Sequence, residues 1–79
     1  MQPKDEDEFV DMLWTMANYD KGPIAIRYPR GNGPGITPKD APRLLEIGKA
    51  EVVAEGTDIA LIGLGAMFEV AEEAKRQLE

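Results

Sequence analysis

Fourteen consecutive residues near the middle of the chain, from Pro29 to Pro42, contain four prolines, three glycines and almost no apolar residue. Proline removes a backbone donor and glycine weakens helices and strands, so this stretch cannot pack a core and predicts a loop followed by a linker. An irregular segment of this length is uncommon in a compact domain, unless it is functional or joins two domains. We expect both.

The part before the linker predicts one helix and one short strand. Pro3 suits a first helical turn, acidic residues follow where the helix dipole favours them, and apolar residues recur at helical spacing to about Tyr19. The acids lack the glycine turn and distal glutamate of a calcium loop, which favours a solvated helix end. Ile24–Ile26 predicts a buried strand. The apolar helical residues, predicted to pack in a core, are Phe9, Met12, Leu13 and Met16.

The part after the linker predicts two strands and a helix. Residues 49–55 alternate loosely, residues 58–65 are nearly all apolar, and a helical pattern follows. Gly63 and Gly65 lie at the strand-to-helix turn, where a dinucleotide-binding motif would have its glycines, but Phe68 occupies the third small position. A tight turn explains both glycines without a ligand. A small stand-alone α/β nucleotide-binding or interaction module remains the alternative to a segment of a larger enzyme.

The composition excludes several kinds of function. The chain has no histidine and no cysteine, which excludes triads that need histidine, disulfides and thiolate zinc sites. Its net charge of -6 argues against nucleic-acid binding, and no apolar run is long enough to span a membrane. We expect a soluble cytoplasmic protein. Residues 21–50 are nevertheless locally basic, with six basic residues against two acids, and would attract a small anion.

The most informative motif lies inside that basic segment. It places two arginines and a glycine-rich backbone directly after the predicted strand, where open α/β sheets bind ligands. Guanidinium groups match phosphate or carboxylate oxygens, and glycines let backbone amides approach an anion. The pattern favours phosphate binding by Arg27 and Arg30, although surface arginines beside a turn would give the same sequence. The supporting loop residues are Tyr28, Gly31, Asn32 and Gly33.

This motif and its surroundings resemble the 1-deoxy-D-xylulose-5-phosphate synthase family. A similar Pro-x-Asp-Glu helix, here starting at Pro3, precedes a similar Arg-Tyr-Pro-Arg-Gly-Asn loop, here at residues 27–32. A proline-containing linker, an Ile-Gly-Lys sequence at residues 47–49 and two apolar segments then follow in the family's order. The resemblance covers essentially the whole chain.

The resemblance implies an α/β fold class, in which the chain is a fragment of two three-layer α/β domains. Residues 1–35 would be the end of the pyrimidine-binding domain that binds thiamine diphosphate, and residues 36–46 the interdomain linker. Residues 47–79 would be the start of a transketolase C-terminal-like domain. The family's Gly-Asp-Gly motif and active-site histidines are missing here. No cofactor-binding, metal-binding or catalytic role can therefore be carried over to a residue of this chain.

The resemblance also implies an activity for the whole enzyme. The family condenses pyruvate with glyceraldehyde 3-phosphate, releasing carbon dioxide, on thiamine diphosphate held with Mg²⁺. The partners would be the rest of the synthase chain, a second subunit in a homodimer and the phosphorylated aldehyde. By resemblance, Arg27 or Arg30 would bind the aldehyde's phosphate, and the sequence does not choose between them. The 79 residues alone are expected to be inactive.

Overall fold

The computed structural model describes residues 1–79 and contains two helices, α1 (Glu6–Ala17) and α2 (Met67–Leu78). The rest of the chain consists of turns, bends and irregular or extended segments without an assigned strand. Neither helix has the length and apolar character needed to cross a membrane. Both predicted helices are confirmed, and α1 is a few residues shorter at each end than its sequence pattern predicts.

Helix α1 begins and ends through contacts of its own side chains. The Asp5 carboxylate accepts a hydrogen bond from the Glu8 backbone N–H at 2.8 Å, which satisfies one of the free donors of the first turn. At the other end, the Asn18 side chain donates to the Trp14 carbonyl at 2.8 Å. These local contacts explain why the helix forms where the sequence predicts it.

A glycine turn leads into α2. Gly65 is buried and has a φ of 58°, in the left-handed region that glycine adopts without strain. A side chain at this position would also collide with the Gln2 side chain. The Phe68 N–H donates to the Gly65 carbonyl at 3.0 Å as the helix starts. The turn itself therefore accounts for Gly65 without a ligand.

The three predicted strands, at residues 24–26, 49–55 and 58–65, do not form. Strand segments must pair their backbone donors and acceptors with a neighbouring strand, and these 79 residues bring no two of them into a ladder. The large apolar side chains of residues 49–55 and 58–65 are consequently exposed, to 94% for Ile62, whereas Ile24 and Ile26 are only partly exposed. The structure thus confirms the helices of the predicted α/β fold and does not confirm its sheets or its two domains.

Residues 1–4 contact segments from both halves of the chain. The Met1 ammonium donates to the Ala25 carbonyl at 2.8 Å, and the Met1 carbonyl accepts from the Arg27 N–H at 2.8 Å. The Lys4 amine pairs with Glu51 at 3.1 Å and lies 5.8 Å from the centre of the Phe68 ring. Helices α1 and α2 do not contact each other, so these residues join the two halves.

The face of α1 that is buried is polar. Asp11 and Thr15 are 2% and 5% exposed, whereas Pro3 is the one apolar side chain that is buried and no aliphatic or aromatic side chain is. The predicted core of Phe9, Met12, Leu13 and Met16 is therefore wrong for this structure, and Leu13 is 46% exposed. The linker covers the polar face because its free backbone N–H groups find acceptors there.

Candidate functional site

The arginine loop, residues 27–35, is anchored near the start of α1 at both of its ends. At its beginning, the Arg27 N–H donates to the Met1 carbonyl, and the Tyr28 ring lies 5.3 Å from the Phe9 ring, centre to centre. At its end, the N–H of Gly35 donates to the Glu6 carboxylate at 3.0 Å. The loop therefore closes on α1 without support from a sheet.

The side chains of Arg27 and Arg30 are exposed, and neither forms an ion pair or a hydrogen bond. An exposed guanidinium keeps all five of its donors free for an anion. The structure thus leaves both predicted phosphate-binding side chains available. No residue of the chain forms a hydrogen bond or an ion pair with both side chains.

The four supporting loop residues do come together. They line one side of a groove of about 280 Å³ between the start of α1 and the start of α2. Lys4 is the one basic residue in the lining, against the acids Asp5, Glu6 and Glu69, so the groove is a poor place for a phosphate. Arg27 and Arg30 lie outside it. The loop residues that line the groove are Tyr28, Gly31, Asn32 and Gly33.

The linker lies along α1 and is bound to it by carboxylates. The Glu6 carboxylate accepts from the Ile36 N–H at 2.8 Å, and the Asp7 carboxylate accepts from both the backbone N–H and the amine of Lys39. The first-turn acids lie at the start of α1, as predicted, but Glu6 and Asp7 are bound to the linker and are therefore only partly solvated. Backbone groups of the linker lack partners of their own, and ionised acceptors satisfy them strongly.

The next two turns of α1 continue these contacts. The Asp11 carboxylate accepts from the Lys39 amine at 2.5 Å and from the Arg43 N–H at 2.8 Å. The Thr15 hydroxyl accepts from the Leu45 N–H and donates to the Asp11 carbonyl, both at 2.8 Å. We call Glu6, Asp7, Asp11 and Thr15 the α1 acceptor row. The row binds backbone N–H groups between Ile36 and Leu45, which is most of the range 36–46 that the resemblance implies for the linker.

Hydrogen bonds between the linker and the α1 acceptor row shift the pKa values of the groups that form them. The Gly35 N–H lowers the pKa of the Glu6 carboxyl, and the Lys39 backbone N–H lowers the pKa of the Asp7 carboxyl. The hydrogen bond to Asp11 raises the pKa of the Lys39 amine. All these shifts favour the charged forms that hold the linker.

The linker is consequently expected to leave α1 in acid. A carboxyl whose pKa is lowered in the folded state contributes stability above its ordinary pKa of about 4, and that contribution is lost as the pH falls through the lowered value. The amide chemical shifts of Ile36 and Lys39, followed from neutral pH to pH 2, should move together below about pH 4. Constant shifts over that range would contradict the contact. The Ile62 amide, which has no acidic residue within three positions and donates to no carboxylate, serves as the control.

The donors needed for a diphosphate held with Mg²⁺ do not occur together here. No three acidic side chains meet in a group that could hold a metal ion, and no buried side-chain polar atom lacks a partner. The acids of the acceptor row are already occupied by the linker. The residues present therefore do not fit the cofactor and its metal.

Curated relatives match the chain along essentially its whole length. It is 52% identical over 79 residues to 1-deoxy-D-xylulose-5-phosphate synthase of Methylacidiphilum infernorum, covering 100% of this chain and 12% of the relative. It is 54% identical over 78 residues, 99% of the chain, to the synthase of Acidobacterium capsulatum, again 12% of the relative. For Shouchella clausii the identity is 53% over 79 residues, covering 100% of this chain and 13% of the relative.

No family model and no solved structure matches the chain. The curated matches nevertheless agree with one another, and they define the chain as a segment of a synthase. The family to which it belongs is that of 1-deoxy-D-xylulose-5-phosphate synthase, and this confirms the resemblance inferred from the sequence. The chain spans about an eighth of the length of these relatives, 12% to 13%.

Proposed function

We propose that the chain supplies substrate-phosphate contacts and a domain junction to a 1-deoxy-D-xylulose-5-phosphate synthase. The whole enzyme would condense pyruvate with glyceraldehyde 3-phosphate, with loss of carbon dioxide, to form a precursor of isoprenoids, thiamine and pyridoxal. Because the chain corresponds to 12% of its relatives, it would be inactive in this reaction by itself. The agreement among curated relatives along the full chain supports the assignment.

The observation that carries the phosphate role is the free state of the two loop guanidiniums. Arg27 and Arg30 are exposed and unpaired, in the segment of the chain where bases outnumber acids. Lys4 and Lys39 are engaged by carboxylates, whereas Arg43 is also free but lies outside the arginine loop. Arginine binds the phosphate oxygens of a substrate through a fixed fork of donors. The loop is thus suited to the phosphorylated aldehyde rather than to pyruvate alone.

The domain junction follows the division predicted from the sequence. Residues 1–35 would complete the pyrimidine-binding domain, residues 36–46 would be the linker, and residues 47–79 would begin the transketolase C-terminal-like domain. Both would be three-layer α/β domains in the whole enzyme. The exposed apolar segments around Val52 and Ile62 support this arrangement, because they have the composition of strands that pair with others.

The cofactors and the second subunit belong to the whole enzyme. Thiamine diphosphate with Mg²⁺ would supply the carbanion that joins the two substrates, and residues outside this chain would hold both. A homodimer in the cytoplasm would be the working form. For this chain the proposal leaves one task at the active site, which is recognition of the acceptor's phosphate by Arg27 or Arg30.

Steady-state kinetics of the full-length synthase would test the proposal. The variant with Arg27→Ala and Arg30→Ala should be compared with the unmodified enzyme on a phosphorylated and an unphosphorylated aldehyde. A loss confined to the phosphorylated aldehyde is expected. An equal loss on both aldehydes, or none on either, would contradict the phosphate role.

A further inference from the structure

The carboxylate of Glu6 holds the end of the arginine loop through two consecutive backbone amides. It accepts from the Gly35 N–H at 3.0 Å with Oε1 and from the Ile36 N–H at 2.8 Å with Oε2. One ionised side chain thus uses both of its oxygens on the segment that leaves the loop. Hydrogen bonds to an ionised acceptor are stronger than those between neutral groups.

Gly33 makes this contact possible from the side of the loop. A Cβ atom built at Gly33 would overlap the Glu6 carboxylate, whereas a Cβ at Gly31 would meet nothing. The loop therefore approaches Glu6 more closely at this position than a larger residue would allow. Glu6 and Gly33 form a matched pair, and the backbone of the loop reaches α1 through it.

The position of this pair decides what it does. The beginning of the loop is fixed by the Arg27 N–H on the Met1 carbonyl, and the Glu6 contacts fix its end. With both ends held, Arg30 lies in a short closed segment whose backbone has lost much of its freedom. Ordering a loop before the ligand arrives removes that cost from binding.

We propose that Glu6 is a positioning residue, which orders the arginine loop so that its guanidiniums meet the phosphate of the acceptor aldehyde. This inference rests on the proposed function and extends it to a residue that touches neither substrate. Glu6 acts through the backbone of Gly35 and Ile36. Its loss should therefore weaken use of the phosphorylated aldehyde while the chemistry on pyruvate continues.

Glu6→Gln in the full-length synthase is the test. The amide keeps the size of the side chain but removes its charge and one of its two acceptors. We expect the KM for the phosphorylated aldehyde to rise about tenfold, the change that loss of one charge-assisted hydrogen bond produces. The kcat, the KM for pyruvate and the rate with unphosphorylated aldehyde should not change. Hydrogen exchange at Gly35 and Ile36 should become faster.

Two further variants separate positioning from general damage. Gly33→Ala perturbs the same contact from the loop side and should reproduce the rise in KM. Glu55→Gln is the matched control, because Glu55 is exposed and makes no hydrogen bond or ion pair. It should behave as the unmodified enzyme.

The possible results distinguish the inference from the proposed function. If the double variant of Arg27 and Arg30 loses the phosphorylated aldehyde and Glu6→Gln does not, the positioning role is overturned while the phosphate role stands. If the arginine variant shows no loss, both fall. Faster exchange at Gly35 without a change in KM would show that Glu6 holds the loop but does not position it for the substrate, which would overturn the inference. A fall in kcat with both aldehydes would show a structural role and would overturn the inference as well.

Discussion

Replacing Arg27 and Arg30 with alanine should lower kcat/KM for the phosphorylated aldehyde by about ten- to a hundredfold for each guanidinium that contacts the phosphate. A hydrogen bond to a charged group contributes about 1.5 to 3 kcal/mol, and about 1.4 kcal/mol corresponds to a factor of ten. The KM for pyruvate should stay the same. The two single variants, measured with varied aldehyde, would show which arginine makes the contact.

Arg43→Ala is the control for this experiment. Its side chain is exposed and unpaired and belongs to the same basic segment, but it lies outside the arginine loop. Removing it lowers the local charge without removing a predicted contact. If Arg43→Ala lowered kcat/KM as much as the loop variants, and if the losses disappeared at high salt, long-range attraction would explain them and the direct contact would be refuted.

Removing the Asp11 carboxylate should free the linker from the middle of α1. In Asp11→Ala, the Arg43 N–H loses its acceptor, and the Lys39 amine loses the closer of its two carboxylate partners. Hydrogen bonds to charged groups contribute about 1.5 to 3 kcal/mol, so exchange of the Arg43 amide should accelerate about ten- to a hundredfold. Hydrogen exchange of the full-length protein, read over residues 36–46, measures this directly.

Two further variants test whether the Asp11 carboxylate itself holds the linker. Asp11→Asn keeps a neutral acceptor for the Arg43 N–H and should accelerate exchange less than alanine does. Asp58→Ala removes an exposed carboxylate that makes no hydrogen bond or ion pair, and it should leave the linker unchanged. Unaltered exchange at Arg43 in Asp11→Ala would mean that the linker is not held by the acceptor row.

The helices could be predicted from the sequence because their signals are local. A cap at Asp5, acids in the first turn and a repeat of apolar residues lie within a few residues of one another. Residues 58–65 carry an equally clear apolar pattern, yet they form no strand. Strand formation depends on a partner distant in sequence, and no pattern within one segment can supply it.

The irregular segment that contains most of the arginine loop was predicted from the sequence, whereas the way α1 holds the linker was not. The available signal was a polar one, since Asp7, Asp11 and Thr15 follow one another at intervals of four and therefore share a helix face. The repeat of apolar residues instead predicted that the apolar face of α1 would be buried. The polar face of α1 is the one that is buried, because the linker offers backbone donors and few apolar side chains.

The lack of a buried aliphatic or aromatic side chain also sets the thermodynamic character of the fold. Apolar surface newly exposed to water is the main source of the heat-capacity increase on unfolding and of sensitivity to urea. A chain held by carboxylates and backbone donors exposes little of it. Its thermal unfolding transition should therefore be broad, and its free energy of unfolding should curve only weakly with temperature. Added salt should lower that free energy, because salt screens the attraction between the carboxylates and their partners.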